Sequence, residues 1–390
     1  MKKTLLASTA LVGAALLAAP ASAGNVGAKD GMNVSLSGLT WFTTTIYDED
    51  ISANKGRGYK FSVNEAEVHI KASNTADNGI SYGLTIELNA GSNDGTAADE
   101  VFVHIDSDEW GRLELGDQDD AADRMAMGSW QANKGTGGPY GGLGTQSMFS
   151  SRASAPLSNA NWQVTTTSDA TKATYFSPRF GGFQVGASLT PDSGQAAGAA
   201  GQDADNDGNI ENIFSYGVNY VGKFDEIGVG LSFVGQSGDG ESAVGNDEAE
   251  EDLAIWSVGT KLDFAGFTLG AHYTDGGESG VTAANARNGA EQGSVWGVGL
   301  GYQAGPWGVS AWYTDYSADN ANTSAAGATE SELTRIGFGL GYAVAPGWKM
   351  TADVEIFSHD NISDGAGVGT TTDNDGRGFM LNNQFSRSEE

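Results

Sequence analysis

From Asn209 to its end the chain repeats one unit: about ten residues alternating between apolar and small or polar character, a turn of two or three residues, and a second such segment. Long acidic loops separate the units. In one of them Trp296, Val298, Leu300 and Tyr302 share a parity, Gly305-Pro306 makes the turn, and Trp307, Val309, Ala311 and Tyr313 share the next parity. Successive side chains of a strand point to opposite faces, so each strand carries one apolar face and one face of Gly, Ser, Thr, Gln and charged residues. The pattern recurs with no helix at hand to cover the apolar side.

The amino terminus indicates where such a sheet resides. Lys2-Lys3, a mostly apolar stretch over 5–17 and Ala21-Ser22-Ala23 follow the basic, apolar, small-residue order of a cleaved secretory signal. This assigns residues 1–23 to the signal and 24–390 to a single mature domain. The apolar run is short for a membrane anchor and has a cleavage-type ending. After Gly24 nothing is apolar for long enough to span a bilayer as a helix, so a mature chain in a membrane crosses it as strands.

Composition agrees. The formal net charge is −30, and loss of the two signal lysines leaves about −32. Such a chain does not seek nucleic acid or an acidic membrane surface. Hydrophobic residues make up 39% and mean hydropathy is −0.30, values that conceal a membrane barrel because inward and outward residues cancel in any window. There is no cysteine, which excludes disulfides and thiolate chemistry.

Parity places strands at about 32–47, 59–71, 80–89, 100–106 and 111–117, followed by a long interruption over about 118–171. From Lys172 strands pair across Arg179-Phe180-Gly181, Phe224-Asp225-Glu226, Phe264-Ala265-Gly266, Ala304-Gly305-Pro306 and Ala345-Pro346-Gly347, and a last strand covers 377–385. An even count of about sixteen, with short turns at one end and long loops at the other, is the asymmetry of a bacterial outer-membrane barrel. Closure is a physical requirement, because each unpaired backbone group at a sheet edge in hydrocarbon costs several kcal/mol. Sixteen strands also enclose more space than side chains fill, leaving a water-filled bore. Trp256, Phe264, Phe267, Tyr273, Trp296, Tyr302, Trp307, Tyr313, Tyr342 and Trp348 stand at strand ends, where interfacial girdles form. The alternative for these rings is the core of a soluble β-sandwich.

Opposite the apolar parity stand Glu65, Glu67, His69, Lys71, Glu87, His104, Asp106, Arg112, Glu114, Lys261, Asp263, His272, Arg335, Lys349, Asp353 and Glu355. Ionisable groups on a membrane-embedded sheet face water, and both signs are present, as in a permeation pathway. On the signal, the opening strand Val34-Ser35-Leu36-Ser37-Gly38, the hairpin Trp110-Gly111-Arg112-Leu113-Glu114-Leu115-Gly116, the insertion after the fifth strand and the strand to Phe385, the mature chain resembles the general porins of Gram-negative outer membranes, particularly the alphaproteobacterial type. The resemblance implies an all-β fold, a transmembrane antiparallel β-barrel with a long pore-constricting loop, and a homotrimer. It implies acidic loop residues, drawn from Asp117, Asp119, Asp120 and Asp123, facing a basic wall drawn from Arg112, Lys71, Arg335 and Lys349. Arg124 and Lys134 lie in the same loop and could invert a local assignment. Family members usually end on an aromatic residue, whereas here Phe385 is followed by Ser386-Arg387-Ser388-Glu389-Glu390, and Asn383 takes an outward position in the last strand.

Asp203, Asp205 and Asp207, with Gly208 and Ile210, follow the spacing of a calcium-binding loop, but Phe214 stands where its bidentate glutamate belongs. No cofactor is required, and structural calcium there is a candidate beside a plain acidic surface loop. Asp247, Glu248 and Glu250 are candidates for bridging divalent ions to lipopolysaccharide phosphates. The phosphate-loop spacing over 217–223 lies in an alternating strand with no helix after it, and the four histidines show no metal or hydrolase motif. The expected function is passive diffusion of small hydrophilic solutes and ions with cation preference, and not an enzyme. The alternatives are an adhesive or structural outer-membrane barrel with a plugged bore and a secreted soluble β-protein.

Overall fold

The computed structural model describes residues 31–50, 58–91, 98–138, 164, 166–194, 208, 210–241, 250–279, 281–320, 329–363 and 371–387. The signal segment and Asp203, Asp205, Asp207, Asp247 and Glu248 lie outside them. The described chain forms one closed antiparallel barrel in which each strand pairs with its neighbours in sequence and the first pairs with the last. The first five strands are β1 (Asn33–Glu49), β2 (Tyr59–Thr75), β3 (Ser81–Asn89), β4 (Ala98–Ser107) and β5 (Gly111–Asp117). After the insertion come β6 (Thr171–Phe176), β7 (Phe183–Asp192), β8 (Glu211–Phe224), β9 (Ile227–Asp239), β10 (Leu253–Phe264) and β11 (Phe267–Gly277). The circuit ends with β12 (Gly293–Ala304), β13 (Trp307–Asn320), β14 (Thr329–Ala345), β15 (Trp348–Ser363) and β16 (Thr371–Arg387).

Turn chemistry sets the register at the short end. Phe264 pairs with Phe267 across Ala265 and Gly266, both at positive φ (49° and 86°), the two-residue turn whose twist matches the strands it joins. Ala304 pairs with Trp307 across Gly305 at φ 56° and Pro306, so glycine takes the left-handed position and proline the position without a ladder donor. A one-residue bulge at Asn64 shifts β2 against β1 between Trp41 and Phe42. The closing seam runs from Gly38 opposite Arg387 to Glu49 opposite Gly376, so the strand containing Phe385 closes the barrel with further residues beyond that ring.

Burial is inverted relative to a water-soluble protein. Leu36, Phe61, Val103, Leu231, Leu300 and Ile356 face outward and are exposed, while Thr43, Thr174, Ser215, Gln236, Asp353 and Glu355 are buried inside. Lipid is the solvent for the outer face, and paired ladders leave no edge in it. Trp307 stacks near Tyr342 with centroids 4.2 Å apart, Phe267 near Tyr302 at 4.5 Å and Trp348 near Phe385 at 5.6 Å, all at the short-turn end. Trp256 with Tyr273 and Trp296 with Tyr313 form the corresponding band toward the long loops. Asn383 does face outward, opposite Phe42 and Met350.

Candidate functional site

The insertion enters the bore and follows its inner wall. Its first element is the short helix α1 (Ala121–Met125), capped by Asp120, whose carboxylate accepts the Ala122 and Asp123 amides at 2.8 and 3.1 Å. The other oxygen of Asp120 accepts Thr167 Oγ1 at 2.6 Å, Ser215 Oγ at 2.9 Å and the Gln236 side-chain amide. Ala121, Ala122 and Met125 bury against Phe176, Ile213, Val234 and Ile255. Apolar side chains on the inward face of β8 and β9 make an apolar seat for the helix inside an otherwise polar bore.

Beyond α1 the segment is tied to one strand after another. The Met127 amide donates to Ser232 Oγ at 2.9 Å, and Ser129 Oγ lies 3.1 Å from His272 Nδ1 in a 3-10 turn over Ser129–Ala132. The Lys134 amide donates to Ser310 Oγ at 2.9 Å and the Thr136 amide to Asp353 Oδ2 at 3.0 Å. Gln384 Nε2 donates to Thr136 Oγ1 at 2.8 Å, and Arg335 Nη2 to the Gly138 carbonyl at 3.2 Å. Residues 118–138 thus run from β5 past the inner faces of β7 to β16. Glycines make the close approach possible: a methyl at Gly259, Gly270, Gly299, Gly301 or Gly341 would overlap the carbonyl of Met127, Gly128, Ser129, Ala132 or Lys134.

The charges are not divided as the resemblance implies. Asp120 is 1% exposed and Asp117, bonded to Thr171, is 8% exposed, so neither lines open bore. Asp119 and Asp123 are half-buried, and the Asp119 amide donates to Glu100 Oε1 at 3.3 Å. Carboxylate oxygens of Glu100, Asp119 and Asp169 lie within 4.8 Å of one another, and Glu100 pairs across the ladder with Glu87. The acidic side is therefore mainly wall, on β2 to β4, with Asp119 and Asp169 joining from the insertion. Burial raises the Asp119 carboxyl; a hydrogen bond shared with Asp123 and the positive charges of Lys172 and Arg124 oppose the rise, and the charge of Asp120 adds to it. Burial pushes Asp169 up to about 6, with Asp119 and Asp99 adding and Lys172 opposing.

The basic residues are scattered among different partners. Arg335 is fully buried, its Nε 2.8 Å from Glu355 Oε1 and its guanidinium 5.0 Å over Trp312, so it anchors the insertion instead of facing water. Lys71 stands on the acidic wall near Glu87. Arg112 binds both oxygens of Asp106, at 3.0 and 3.1 Å, and Glu114. Arg124 leaves the insertion to meet the same buried Glu114 and lies 4.6 Å over Phe176. With Arg179 these two arginines line a cavity of about 480 Å3 toward the short turns. Lys349 joins Lys134 and Lys261, and Lys134 is lowered by burial against a raising influence from Asp263. The basic side thus includes two residues of the insertion itself, Arg124 and Lys134.

Sequence reasoning passed over Asp169, Glu100 and the glycine track. The track had a visible signal: glycines recurring on the inward parity of β10 to β14, together with the apolar Ile213 and Val234 where that parity calls for polar residues.

A model of the family described as Gram-negative porin matches residues 7–362. Among solved structures the chain is similar to OmpT of Vibrio cholerae in its trimer form, at 13% identity and a TM-score of 0.59, over 92% of this chain and all of that one. It is similar to a mutant of the Rhodobacter blastica porin at 15% identity and a TM-score of 0.57, over 91% of this chain and 100% of that one. It is equally similar to an anion-selective porin from Comamonas acidovorans, at 14% identity and a TM-score of 0.57, over the same 91% and 100%. No curated protein matches the sequence.

Proposed function

The chain belongs to the Gram-negative porin family and is a channel-forming β-barrel of the outer membrane, and from that premise we propose that it passes small hydrophilic solutes and ions by passive diffusion with a preference for cations. Family and fold point to a channel and not to an enzyme. The observation that carries the cation preference is the acidic strip formed by Glu67, Glu87, Glu100, Asp119 and Asp169, which concentrates cations beside the start of the insertion. Four of the basic groups are held by carboxylates: Arg112 and Arg124 by Glu114, Arg335 by Glu355 and Lys261 by Asp263 at 3.1 Å.

A homotrimer is part of the proposal. It is supported by the trimer form of the similar Vibrio cholerae protein and by the apolar outward face of β3 to β5, where Leu84, Ile86, Val101, Val103, Leu113 and Leu115 stand between Tyr82 and the long loops.

The test is single-channel recording in planar bilayers with the reversal potential measured across a potassium chloride gradient. Conductance steps in groups of three with a potassium-favouring reversal potential are the expected result. A chloride-favouring potential overturns the selectivity, and a barrel that inserts without conducting favours an adhesive or structural role.

A further inference from the structure

β2 and β3 bring an imidazole between two carboxylates on the inner wall. Glu67 and His69 are two residues apart and share a face, and Glu87 stands directly opposite His69 in the ladder. Glu67 Oε2 lies 2.6 Å from His69 Nε2, and Glu87 Oε1 lies 3.7 Å from His69 Nδ1. One donor atom from each of the three lies within 4.8 Å of the other two. A wall that only attracts monovalent cations needs carboxylates, and the imidazole between them is left without a task in the diffusion reading.

We propose that His69 and Glu87, with Glu67 orienting the ring from behind, form a binding site for a divalent transition metal of the zinc class on the wall of the bore. An imidazole nitrogen with carboxylate oxygens is a donor set that zinc accepts, whereas magnesium and calcium take oxygen donors. With bonds of about 2.0–2.2 Å, donors around a tetrahedral zinc lie about 3.4 Å apart. The 3.7 Å gap between His69 Nδ1 and Glu87 is therefore close to the spacing a bridging metal needs. Glu67 accepts the proton at Nε2, which fixes the tautomer and turns the Nδ1 lone pair toward Glu87, the carboxylate–histidine–metal arrangement. Water of the bore fills the remaining positions. The ligands stand on paired strands, so little ordering is needed on binding.

Two neighbours tune the site. Lys71, on the same face of β2, attracts the Glu87 carboxylate and competes with the metal for it. Glu100, opposite Glu87 in the next ladder, extends the acidic strip toward Asp119 and raises the local cation concentration. A metal held there adds fixed positive charge to the path of permeating cations. The binding site rests only on the geometry of β2 and β3, and its effect on current rests on the channel reading.

The experiment is equilibrium dialysis of the folded, detergent-solubilised protein against zinc chloride and magnesium chloride, paired with bilayer recording in the same ions. The expected result is one zinc per chain with little magnesium, and a potassium conductance lowered by zinc. Glu67→Gln should weaken binding about tenfold by freeing the ring, His69→Gln should abolish it, and Glu109→Gln at the β4–β5 turn should leave it unchanged. All variants are checked for the heat-modifiable mobility of a closed barrel. Equal uptake of zinc and magnesium, or zinc uptake undiminished in His69→Gln, overturns the site and leaves only an acidic wall. A conducting protein that takes up no zinc overturns the site and keeps the channel, whereas one that binds zinc without conducting keeps the site and overturns the channel.

Discussion

The Asp120 carboxylate accepts the Ser215 hydroxyl at 2.9 Å, fastening the cap of a helix in the insertion to a barrel strand 95 residues further along the chain. The same group serves the Ala122 and Asp123 amides, Thr167 and Gln236. Asp120→Ala removes a cap worth about 1 kcal/mol and strands buried donors at about 1–3 kcal/mol each. Amide hydrogen exchange at Ala122 and Asp123 should accelerate on the order of 100-fold, equivalent to roughly 3 kcal/mol of local opening. Exchange unchanged from the parent protein would show that the apolar seat alone holds the helix.

Glu114 is fully buried between Arg112 and Arg124. Glu114→Gln adds one unit of net positive charge beside the bore and leaves two guanidiniums sharing a neutral partner. The potassium-to-chloride permeability ratio should fall, read from the reversal potential at low salt, and the difference should shrink as salt is raised. A ratio that does not change would place this triad away from the ion path.

Acid should reduce the cation preference earlier than ordinary aspartates predict. Asp169 is raised to about 6 by burial, with Asp119 and Asp99 adding and Lys172 opposing, and Asp119 is itself raised. Protonation removes negative charge, so the permeability ratio should drop as pH falls from about 7 to about 5. Asp169→Asn should show a lower ratio at pH 7 and a smaller drop. A ratio flat over this interval in the parent protein contradicts the assignment of Asp169 to the ion path.

The Arg335–Glu355 pair tests how the far end of the insertion is held. Arg335→Met leaves the Glu355 carboxylate buried without this partner and should cost about 3–5 kcal/mol. Adding Glu355→Gln should recover much of that loss, measured as unfolding in urea from lipid bilayers. If the double variant is as unstable as the single one, the contacts of Arg335 with Gly138 and Trp312 matter more than the charge pair.

The barrel was legible because its determinants are local. A period of two along Trp296 to Tyr302 and a turn at Gly305-Pro306 specify a hairpin without reference to anything distant. The path of the insertion was not, since it depends on contacts such as Thr136 with Asp353, 217 residues apart. Asp120 illustrates the ambiguity within one residue. An aspartate near the start of a pore loop reads as an eyelet charge, yet Asp120 followed by Ala121-Ala122-Asp123 is also a helix cap, and the structure uses it as that. For Arg335 and Lys71, parity gives the face of a strand and the family resemblance a basic wall, but neither gives the partner waiting there.

The inward glycines also bear on how this barrel can change over generations. Each of Gly259, Gly270, Gly299, Gly301 and Gly341 is matched to one carbonyl of the insertion. A mutation that puts a side chain on the wall pushes the insertion off its course, and a new course for the insertion leaves bare glycine behind it. Wall and insertion therefore have to vary together, and a new pore shape is reached by paired substitutions far apart in the gene. Transplanting residues 118–138 into another barrel should succeed only when the glycines travel with them.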